Sequence, residues 1–451
     1  MTLRFGTDGV RGAANTELTP ELALSLGRAA ARTLGGGPWL VGRDTRLSGP
    51  LLAAAFTAGL ASEGASSVDL GVLPTPGVAY LAAADQLPGA VISASHNPFG
   101  DNGIKLFAVG GLKLDDATED RLEAELEALE AEGIPGSPAR PGGPLVGSLR
   151  AAPDAWERYA HHLEGAVLEG RRLPGLKVVL DCAHGAASVV APRVLAELGA
   201  GVTVLHADPD GTNINDGCGS THPEALQKAV VARGADVGLA FDGDADRVLA
   251  VDASGALVDG DQLIALLALD LQGRGLLRDD TVAVTVMTNL GFRQAMARAG
   301  IRVLDTPVGD RHVLAALAEG GLALGGEQSG HIVLRDWATT GDGLLAGLFV
   351  LDTMARTGRS LAELAAVMDR LPQVMVNVRL PRRDPDLLDR LALDVSRAEI
   401  ALAGRGRVLV RPSGTEPVVR VMVEAPTAAE AQAVADELAS AARAAASPPT
   451  P

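Results

Sequence analysis

The segment K-V-V-L-D-C, at positions 177–182, opens the stretch that decides the fold of this chain. It is followed by a helical pattern at 189–199, the strand pattern G-V-T-V-L-H (201–206), a second helix from Pro223, and the strand pattern D-V-G-L-A-F (236–241). Short apolar runs that alternate with helices of about 10–15 residues are typical of α/β units with largely parallel sheets. The sequence therefore predicts such a unit here.

The alternation continues on both sides of this unit. It begins with P-W-L-V-G-R-D (38–44) and resumes after residue 255 with T-V-A-V-T-V (281–286), whereas Q-V-M-V-N-V-R-L (373–380) opens a different order of elements. We predict three α/β domains with mixed, largely parallel sheets and a C-terminal α+β domain, arranged around a central cleft. The predicted domains are 1–150, 151–253, 254–369 and 370–451, and the proline- and glycine-rich segment 132–144 is predicted to be a linker or exposed connection.

The composition argues against several classes of partner. The chain of 451 residues has a net charge of −17 and only 3% aromatic residues, so a nucleic-acid groove with stacking platforms is not expected. No apolar stretch approaches the ~18 residues of a membrane span, and the N-terminus lacks the apolar core of a signal peptide. Two cysteines, Cys182 and Cys218, fit a reducing compartment. We therefore expect a cytoplasmic protein with no membrane or nucleic-acid partner, while a small anionic ligand remains compatible with a local arginine cluster.

Each predicted domain ends one strand in a loop rich in glycine or polar residues. The four loops are S-A-S-H-N-P (93–98), D-G-D-A-D-R (242–247), G-G-E-Q-S-G-H (325–331) and R-P-S-G-T-E-P (411–417). Ligands of α/β sheets gather at the carboxyl ends of the strands. We expect the four loops to face one cleft.

The second of these loops carries three alternating carboxylates, Asp242, Asp244 and Asp246. If the backbone stays extended after V-G-L-A-F, the three side chains project to one side and form a site for a hard cation such as magnesium or manganese. A solvated acidic turn is the alternative, and the spacing excludes an EF-hand. The adjacent Arg247 is predicted to bind a phosphate that shares the metal.

The C-terminal loop has the opposite charge. Hydroxyls, freed backbone N–H groups and guanidinium groups can surround the oxygens of a phosphate. The residues that offer them are Arg411, Ser413, Gly414, Thr415 and, on the next strand, Arg420. A hairpin with incidental arginines is the alternative. In the third loop, Glu327, Ser329 and His331 stand between glycines, a pattern that suits vicinal sugar hydroxyls but also occurs in ordinary loops.

The first loop contains two serines. If residues 91–95 are extended, Ser93 and Ser95 share a face, and Ser95 stands at the tip of the strand. A Ser–His hydrolase is disfavoured because A-S-A-S-H lacks the G-x-S-x-G elbow. Near the predicted metal site and phosphate loop, Ser95 fits better as a phosphoryl acceptor and donor, with Ser93 as a supporting hydroxyl. Lys105, one of only four lysines, is a candidate proton carrier, against the alternative of a plain surface lysine.

Taken together, these motifs resemble those of the α-D-phosphohexomutases over essentially the whole chain. The resemblance rests on F-G-T-D-G-V-R-G (5–12) and on the four loops in this order and spacing. Within the superfamily, P-D-G-T-N-I-N-D-G-C-G-S-T-H (209–222), T-P-V-G-D-R (306–311) and the glutamine of E-Q-S-G-H are most similar to the bacterial branch that acts on glucosamine phosphates.

The resemblance implies an isomerase that interconverts glucosamine 6-phosphate and glucosamine 1-phosphate on the way to UDP-N-acetylglucosamine and peptidoglycan precursors. Ser95 would be a phosphoserine, required for activity, and would pass its phosphoryl group through glucosamine 1,6-bisphosphate. One Mg²⁺ per subunit would be held by that phosphate and the three aspartates. Arg11 and Lys105 match the positions beside the reacting phosphate, with His331 as a further polar candidate. The resemblance further implies that the C-terminal loop binds the non-reacting phosphate, and that Glu327 and Ser329 bind the ring hydroxyls.

Two alternative functions remain open at this point. A phosphoglucomutase or phosphomannomutase of the same superfamily would differ only in the sugar 2-substituent that it accepts. A non-catalytic sugar-phosphate sensor, regulated by phosphorylation of Ser95, would have no use for Ser95, Lys105 and the aspartates together. A homodimer is compatible with the sequence, which does not decide the oligomeric state.

Overall fold

The computed structural model describes residues 9–35, 37–131, 140–168, 172–382, 384, 386–412 and 417–446. These residues form two compact units, one comprising the chain up to 287 with 301–366, and the other comprising 288–300 with the chain from 367 onward. Most of the predicted connection 132–144 lies outside the described residues. The four domain boundaries stay a prediction.

The first sheet of the first unit is mixed. Its strands are β1 (Val10–Ala13), β2 (Trp39–Arg43), β3 (Ser67–Val72), β4 (Gly89–Ile92), β5 (Asp101–Ala108), β6 (Leu112–Lys113) and β7 (Leu149–Ala151), and the helices of this segment are α1 (Pro20–Leu34), α2 (Gly49–Ser62), α3 (Thr75–Asp85) and α4 (Asp116–Ala131). The strand order is β1-β5-β4-β2-β3-β7, with β6 beside β5. Strands β4, β2, β3 and β7 are parallel, whereas β5 runs antiparallel to its neighbours. Trp39 packs edge to face on Phe56 at 6.0 Å, which anchors α2 on β2.

The second sheet follows the pattern predicted from residue 177 onward. Its strands are β8 (Lys177–Asp181), β9 (Gly201–Leu205), β10 (Val237–Phe241), β11 (Val248–Asp252) and β12 (Leu257–Val258), and the helices are α5 (Ala155–Leu168), α6 (Ala187–Glu197) and α7 (Glu224–Arg233). The order is β12-β11-β10-β8-β9, with β9, β8 and β10 parallel. All five residues of β10 are buried, because a strand in the middle of a sheet is covered on both faces.

The third sheet is smaller. Its strands are β13 (Thr281–Thr285), β14 (Arg302–Thr306), β15 (Leu324–Gly326) and β16 (Ile332–Leu334), and the helices of this part of the first unit are α8 (Gly260–Gly273), α10 (Asp310–Gly320), α11 (Gly343–Thr357) and α12 (Leu361–Ala365). The order is β14-β13-β15-β16, in which only β16 is antiparallel. A capping box starts α8, where Asp259 accepts from the Gln262 backbone and the Gln262 side chain accepts from the Asp259 backbone.

The second unit is an α+β structure, as the change of pattern near residue 373 predicts. It contains β17 (Gln373–Arg379), β18 (Arg407–Pro412) and β19 (Val418–Glu424), with α9 (Leu290–Ala299), α13 (Leu387–Leu402) and α14 (Ala428–Ala446). The strands form an antiparallel sheet in the order β17-β19-β18. Glu424, at the end of β19, accepts a hydrogen bond from the backbone N–H of Leu290 at the start of α9 (2.9 Å).

In the described part of the chain, no helix is both long enough and apolar enough to cross a membrane. In the first unit, polar residues follow directly after the ends of the parallel strands β2, β4 and β10. This places the loops predicted from the sequence at the carboxyl edges of the first two sheets.

Candidate functional site

Ser95 lies in a sharp turn just beyond β4. The strand ends at Ile92, and Ser95 adopts a left-handed backbone conformation with φ of +53°. The expectation that residues 91–95 are extended is therefore wrong. The turn is nevertheless stable, because the Ser93 hydroxyl donates to Asp44 Oδ2 (2.6 Å) and accepts from the Ser95 backbone N–H (3.0 Å). Ser93 thus has the supporting part that the sequence predicts.

The Ser95 hydroxyl points at the acidic loop that follows β10. It donates a hydrogen bond to Asp242 Oδ2 at 2.6 Å, and the Ser95 side chain is buried, with 1% of the residue exposed. One carboxylate oxygen from each of Asp242, Asp244 and Asp246 lies within 4.8 Å of the others. The three carboxylates converge, as predicted, but an extended backbone does not bring them together, because the loop is a turn with Ala245 at φ +57°.

Three buried carboxylates in contact repel one another. Burial, and then the charges of Asp246 and Asp244, hold the pKa of Asp242 well above its ordinary value. Lys105 offsets part of this charge: its Nζ donates to Asp244 Oδ2 at 2.7 Å and lies 3.5 Å from Asp246 Oδ2. Asp246 Oδ1 accepts no hydrogen bond from a described residue, although Arg247 Nε lies 3.7 Å away. A buried acidic cluster with an unused oxygen fits a hard divalent cation.

The Ser95 turn is held by two residues that the sequence analysis missed. Arg46 donates through Nη2 to the carbonyls of Ser95 (2.9 Å) and Asn97 (2.7 Å), and its Nε pairs with Asp44 at 2.9 Å. Asn215, from the loop after β9, donates to the same Ser95 carbonyl at 2.9 Å. The signal for Arg46 was present in R-D-T-R (43–46), since this is a further strand end with polar residues. The contact of Asn215 with Ser95 could not be predicted from a local motif, because 120 residues separate the two.

The positive residues predicted beside the reacting phosphate also lie near this turn. Burial, followed by the charges of Arg247 and Arg11, lowers the pKa of His96 to about 4. For Arg247 itself, burial opposes the charged form, but the carboxylates of Asp246 and Asp242 raise the pKa overall. Permanent positive charge therefore lies near His96, the residue that follows Ser95, and such charge suits a phosphoryl group.

The third loop touches the acidic loop through its backbone. His331 forms a bridge with Arg247, and the Val248 backbone N–H donates to the Gly330 carbonyl at 3.1 Å. Glu327 Oε1 accepts from the backbone N–H of Gly309 (3.1 Å), while Ser329 is exposed.

The His331 ring is buried, and its Nε2 lies 3.8 Å from Asp310 Oδ2. It packs against Gly341, where an added Cβ would come within 2.4 Å of the ring. Both ring nitrogens lack a hydrogen-bond partner among the described residues. The structure thus brings His331 close to Arg247 and Asp310, and its direct part in catalysis stays a prediction.

In the second unit, Arg411 on β18 and Arg420 on β19 are directly opposite each other in the antiparallel ladder. Burial, together with the charge of Arg420, lowers the pKa of Arg411. Two like charges at opposed positions are unfavourable unless an anion joins them. The other predicted residues of this loop, Ser413, Gly414 and Thr415, lie outside the described residues.

Family models match four successive segments of the chain. They are described as phosphoglucomutase/phosphomannomutase α/β/α domain I (residues 2–132), α/β/α domain II (157–255), α/β/α domain III (259–371) and C-terminal domain (375–441). Together they cover most of the 451 residues.

Whole-length relatives are similar as well. A phosphoglucosamine mutase of Frankia alni is 56% identical over 99% of both chains, and one of Rhodococcus jostii is 55% identical over 96% of this chain and 98% of the relative. Among solved structures, a phosphoglucomutase/phosphomannomutase family protein from Burkholderia thailandensis has a TM-score of 0.78 at 27% identity, covering 97% of both chains. An Aspergillus fumigatus N-acetylphosphoglucosamine mutase shares the fold, with a TM-score of 0.67 at 18% identity over 99% of this chain and 96% of that one.

Proposed function

This chain belongs to the phosphoglucomutase/phosphomannomutase family, and from that premise we propose that it interconverts glucosamine 6-phosphate and glucosamine 1-phosphate with Ser95 as the phosphoryl carrier. Relatives with 53–56% identity along nearly the whole chain are phosphoglucosamine mutases, which supports this substrate pair over the glucose or mannose phosphates. One observation carries the assignment of the carrier. The buried Ser95 hydroxyl donates at 2.6 Å to a carboxylate of a buried acidic cluster.

The proposed reaction starts from phosphorylated Ser95. A sugar hydroxyl attacks the phosphorus, its oxygen forms the new P–O bond, and the bond from phosphorus to Ser95 Oγ breaks, which yields glucosamine 1,6-bisphosphate. The bisphosphate then presents its other phosphoryl group to Ser95 Oγ, and the reverse transfer restores the phosphoserine. The sugar hydroxyl loses its proton and Ser95 Oγ gains one when its bond to phosphorus breaks. Lys105, once deprotonated to the neutral amine, is the proposed carrier of that proton, and Arg11 and Arg247 are the proposed partners of the transferring group.

The proposed Mg²⁺ ligands are Asp242, Asp244, Asp246 and the Ser95 phosphate. Lys105 and Arg247 lie within 4 Å of carboxylates of this cluster, and phosphorylation of Ser95 would add a further negative charge of about −1.5 to −2 to it. A divalent cation would offset this negative charge and, when bound, stabilises the charge that develops on the transferring phosphoryl group. The described residues thus fit such an ion in ligand type and in charge.

The rest of the substrate is assigned to the other two loops. Arg411 and Arg420, with Ser413, Gly414 and Thr415, are the proposed site of the non-reacting phosphate. Glu327 and Ser329 are the proposed partners of the ring hydroxyls, and His331 is a further polar candidate. The support for the phosphate site is the opposed pair of arginines, whose repulsion an anion would relieve.

The experiment that tests the carrier combines intact-mass and peptide mapping of the purified chain with a coupled assay of glucosamine 1-phosphate formation. We expect one phosphate, on Ser95, in the active fraction, and no measurable turnover for Ser95→Ala. The control is Ser440→Ala, because Ser440 is an exposed helical serine in the second unit. Phosphate on another residue of the active fraction would overturn the assignment.

The same assay distinguishes the alternatives. Faster turnover of glucose 1-phosphate or mannose 1-phosphate than of glucosamine 1-phosphate would contradict the proposed substrate. Binding of sugar phosphate with no isomerisation by the phosphorylated chain would favour a sensor. We also propose a cytoplasmic location, because buried free Cys182 and Cys218 suit a reducing compartment. The homodimer stays a prediction, which light scattering would test.

A further inference from the structure

A second cluster of metal-ligand side chains lies at the edge of the second sheet. Asp181 is the last residue of β8, His206 directly follows β9, and Cys218 lies in the loop that leads to α7. One carboxylate oxygen, one imidazole nitrogen and the thiol sulfur of these residues lie within 4.8 Å of one another. The proposed mutase reaction uses none of the three.

Two atoms of this cluster have only each other as a polar partner among the described residues. Asp181 Oδ2 and His206 Nδ1 lie 2.9 Å apart, and neither makes a hydrogen bond of good geometry to a described residue. The other Asp181 oxygen is satisfied, because it accepts from the Ala183 backbone N–H at 3.0 Å. Asp181 is fully buried, so among the described residues the desolvation cost of its Oδ2 is offset only by the contact with His206. A cation bound by the oxygen and the nitrogen would offset that cost further.

Two glycines beside Cys218 allow its thiol to lie close to Asp181 and His206. Cys218 is fully buried and stands between two glycines with positive φ, Gly217 and Gly219. A Cβ at Gly219 would lie 2.5 Å from both the Phe241 carbonyl oxygen and the Ala183 Cβ, so only glycine allows this close approach. The position of the Cys218 thiol is therefore fixed by the packing of the neighbouring glycines.

We propose that Asp181, His206 and Cys218 form a second metal site, for a borderline-soft divalent ion of the Zn²⁺ class. Oxygen, nitrogen and sulfur together are the ligand set of such an ion, whereas magnesium prefers oxygen alone. Tetrahedral coordination at about 2.0–2.3 Å places ligand atoms roughly 3.3–3.8 Å apart. The three atoms lie within 4.8 Å of one another, and the 2.9 Å between Asp181 Oδ2 and His206 Nδ1 would have to widen by a few tenths of an ångström when the ion binds. With 28% of its side chain exposed, His206 gives the ion access to solvent.

The metal would stabilise the loops that support the Ser95 turn. Asn215, three residues before Cys218, donates to the Ser95 carbonyl at 2.9 Å, and its own backbone N–H donates to the Ala183 carbonyl at 3.0 Å. The backbone N–H of Ala186 donates to the carbonyl of Gly243, in the acidic loop, at 2.8 Å. The proposed role of the ion is thus structural, at a site separate from the three aspartates.

The test is a Co²⁺ titration of the chelator-treated full chain in excess Mg²⁺, which occupies hard-cation sites. Cobalt bound to a thiolate gives an ultraviolet charge-transfer band that carboxylate ligands do not give. We expect one equivalent of cobalt with this band, displaced by Zn²⁺. Cys218→Ser should lose the band, and His206→Gln should weaken cobalt binding by more than about 10-fold. Cys182→Ser is the matched control, because Cys182 is an equally buried cysteine outside the cluster, and it should keep the band.

Failure of the proposal would be distinct from failure of the mutase assignment, since the readout is spectroscopic. Absence of the band at saturating cobalt would overturn the proposal, as would a band that persists in Cys218→Ser or disappears in Cys182→Ser. Circular dichroism of each variant checks folding. If Cys218→Ser does not fold, His206→Gln decides, because the His206 side chain is partly exposed and the substitution leaves the core intact. Unchanged cobalt affinity in that variant would equally refute the site.

Discussion

The Ser95 region of the first unit and the arginine pair of the second unit differ in how their charged side chains are paired. Around Ser95 the charged groups are buried and paired, as Lys105 Nζ lies 2.7 Å from Asp244 Oδ2. On the second unit's sheet, Arg411 and Arg420 are half-buried and oppose each other across the ladder. Neither makes an ion pair with a carboxylate of the described residues. We infer that the first region is stabilised within the fold, whereas the second is completed by an anionic ligand.

Because of this difference, mutations in the two regions should have different effects on stability and on ligand binding. Removing a charge from a buried, paired site leaves a partner without compensation and lowers stability. Removing one of two opposed like charges relieves repulsion, so stability should hold or rise while anion binding weakens. The following predictions test the comparison, from the largest expected effect to the smallest.

Lys105→Met should lower the free energy of unfolding by about 3–5 kcal/mol in metal-free buffer, because Asp244 and Asp246 lose a buried counter-charge. Added Mg²⁺ should restore part of this loss, since a bound cation can replace the ammonium charge. Urea unfolding with and without Mg²⁺ measures both effects. Lys228→Met is the control, on a solvent-facing helix. Equal stability of Lys105→Met and the parent would contradict the proposed charge balance.

Asp242→Asn should lower mutase turnover by about 10²–10³-fold with little change in melting temperature. The amide is the same size and can still accept the Ser95 hydrogen bond, but it removes a charge that burial and two neighbouring carboxylates disfavour. Steady-state kinetics and a melting curve on one preparation provide the test. Asp208→Asn, an exposed change in the same sheet region, should keep full turnover. A large fall in melting temperature would show that Asp242 has a mainly structural role.

Arg420→Ala should raise KM for the sugar phosphate by roughly 10–100-fold, the equivalent of losing about 1.5–3 kcal/mol of charge-assisted hydrogen bonding. Its free energy of unfolding should stay equal or rise by a few tenths of a kcal/mol, because Arg411 loses a like charge opposite it. Arg405→Ala, which removes an exposed pair with Glu430, is the control and should leave KM unchanged. An unchanged KM for Arg420→Ala would remove the arginine pair from the binding site.

The smallest effect concerns pH. The folded-state pKa of His96, about 4, lies below its ordinary value, so the unfolded chain binds more protons at this residue between these two values. Stability should therefore fall as pH decreases from about 6.5 to 4, and His96→Gln should reduce that slope. Proton NMR of His96 should further show a higher pKa after Ser95 is phosphorylated, because the phosphate offsets Arg247 and Arg11. The same pKa in both forms would mean that the phosphate is not beside these arginines.

Much of the fold and the candidate site residues could be predicted from local sequence patterns. The strand and helix periodicities near residues 177–241 and 281–306 coincide with observed elements, because burial selects apolar residues at the spacing of each element. The three aspartates were identified because alternating carboxylates at the end of a buried strand offer the oxygen ligands that a hard cation prefers. The backbone of these aspartates was predicted wrongly. The alternating pattern indicated an extended chain, whereas a turn with Ala245 at φ +57° brings the three side chains together.

The sequence by itself determined which groups are predicted to carry the chemistry: a serine, three aspartates, a lysine and two arginines, each within a short distinctive motif. Only the tertiary structure decided what holds them. Asn215 supports the Ser95 turn across 120 residues, and Asp181 meets His206 and Cys218 only because β8 and β9 are neighbours in one sheet. Sequence motifs allow local functional groups to be predicted because their residues are adjacent in the chain. Hydrogen bonds and ligand clusters between distant segments depend on strand order and loop closure, which no short segment encodes.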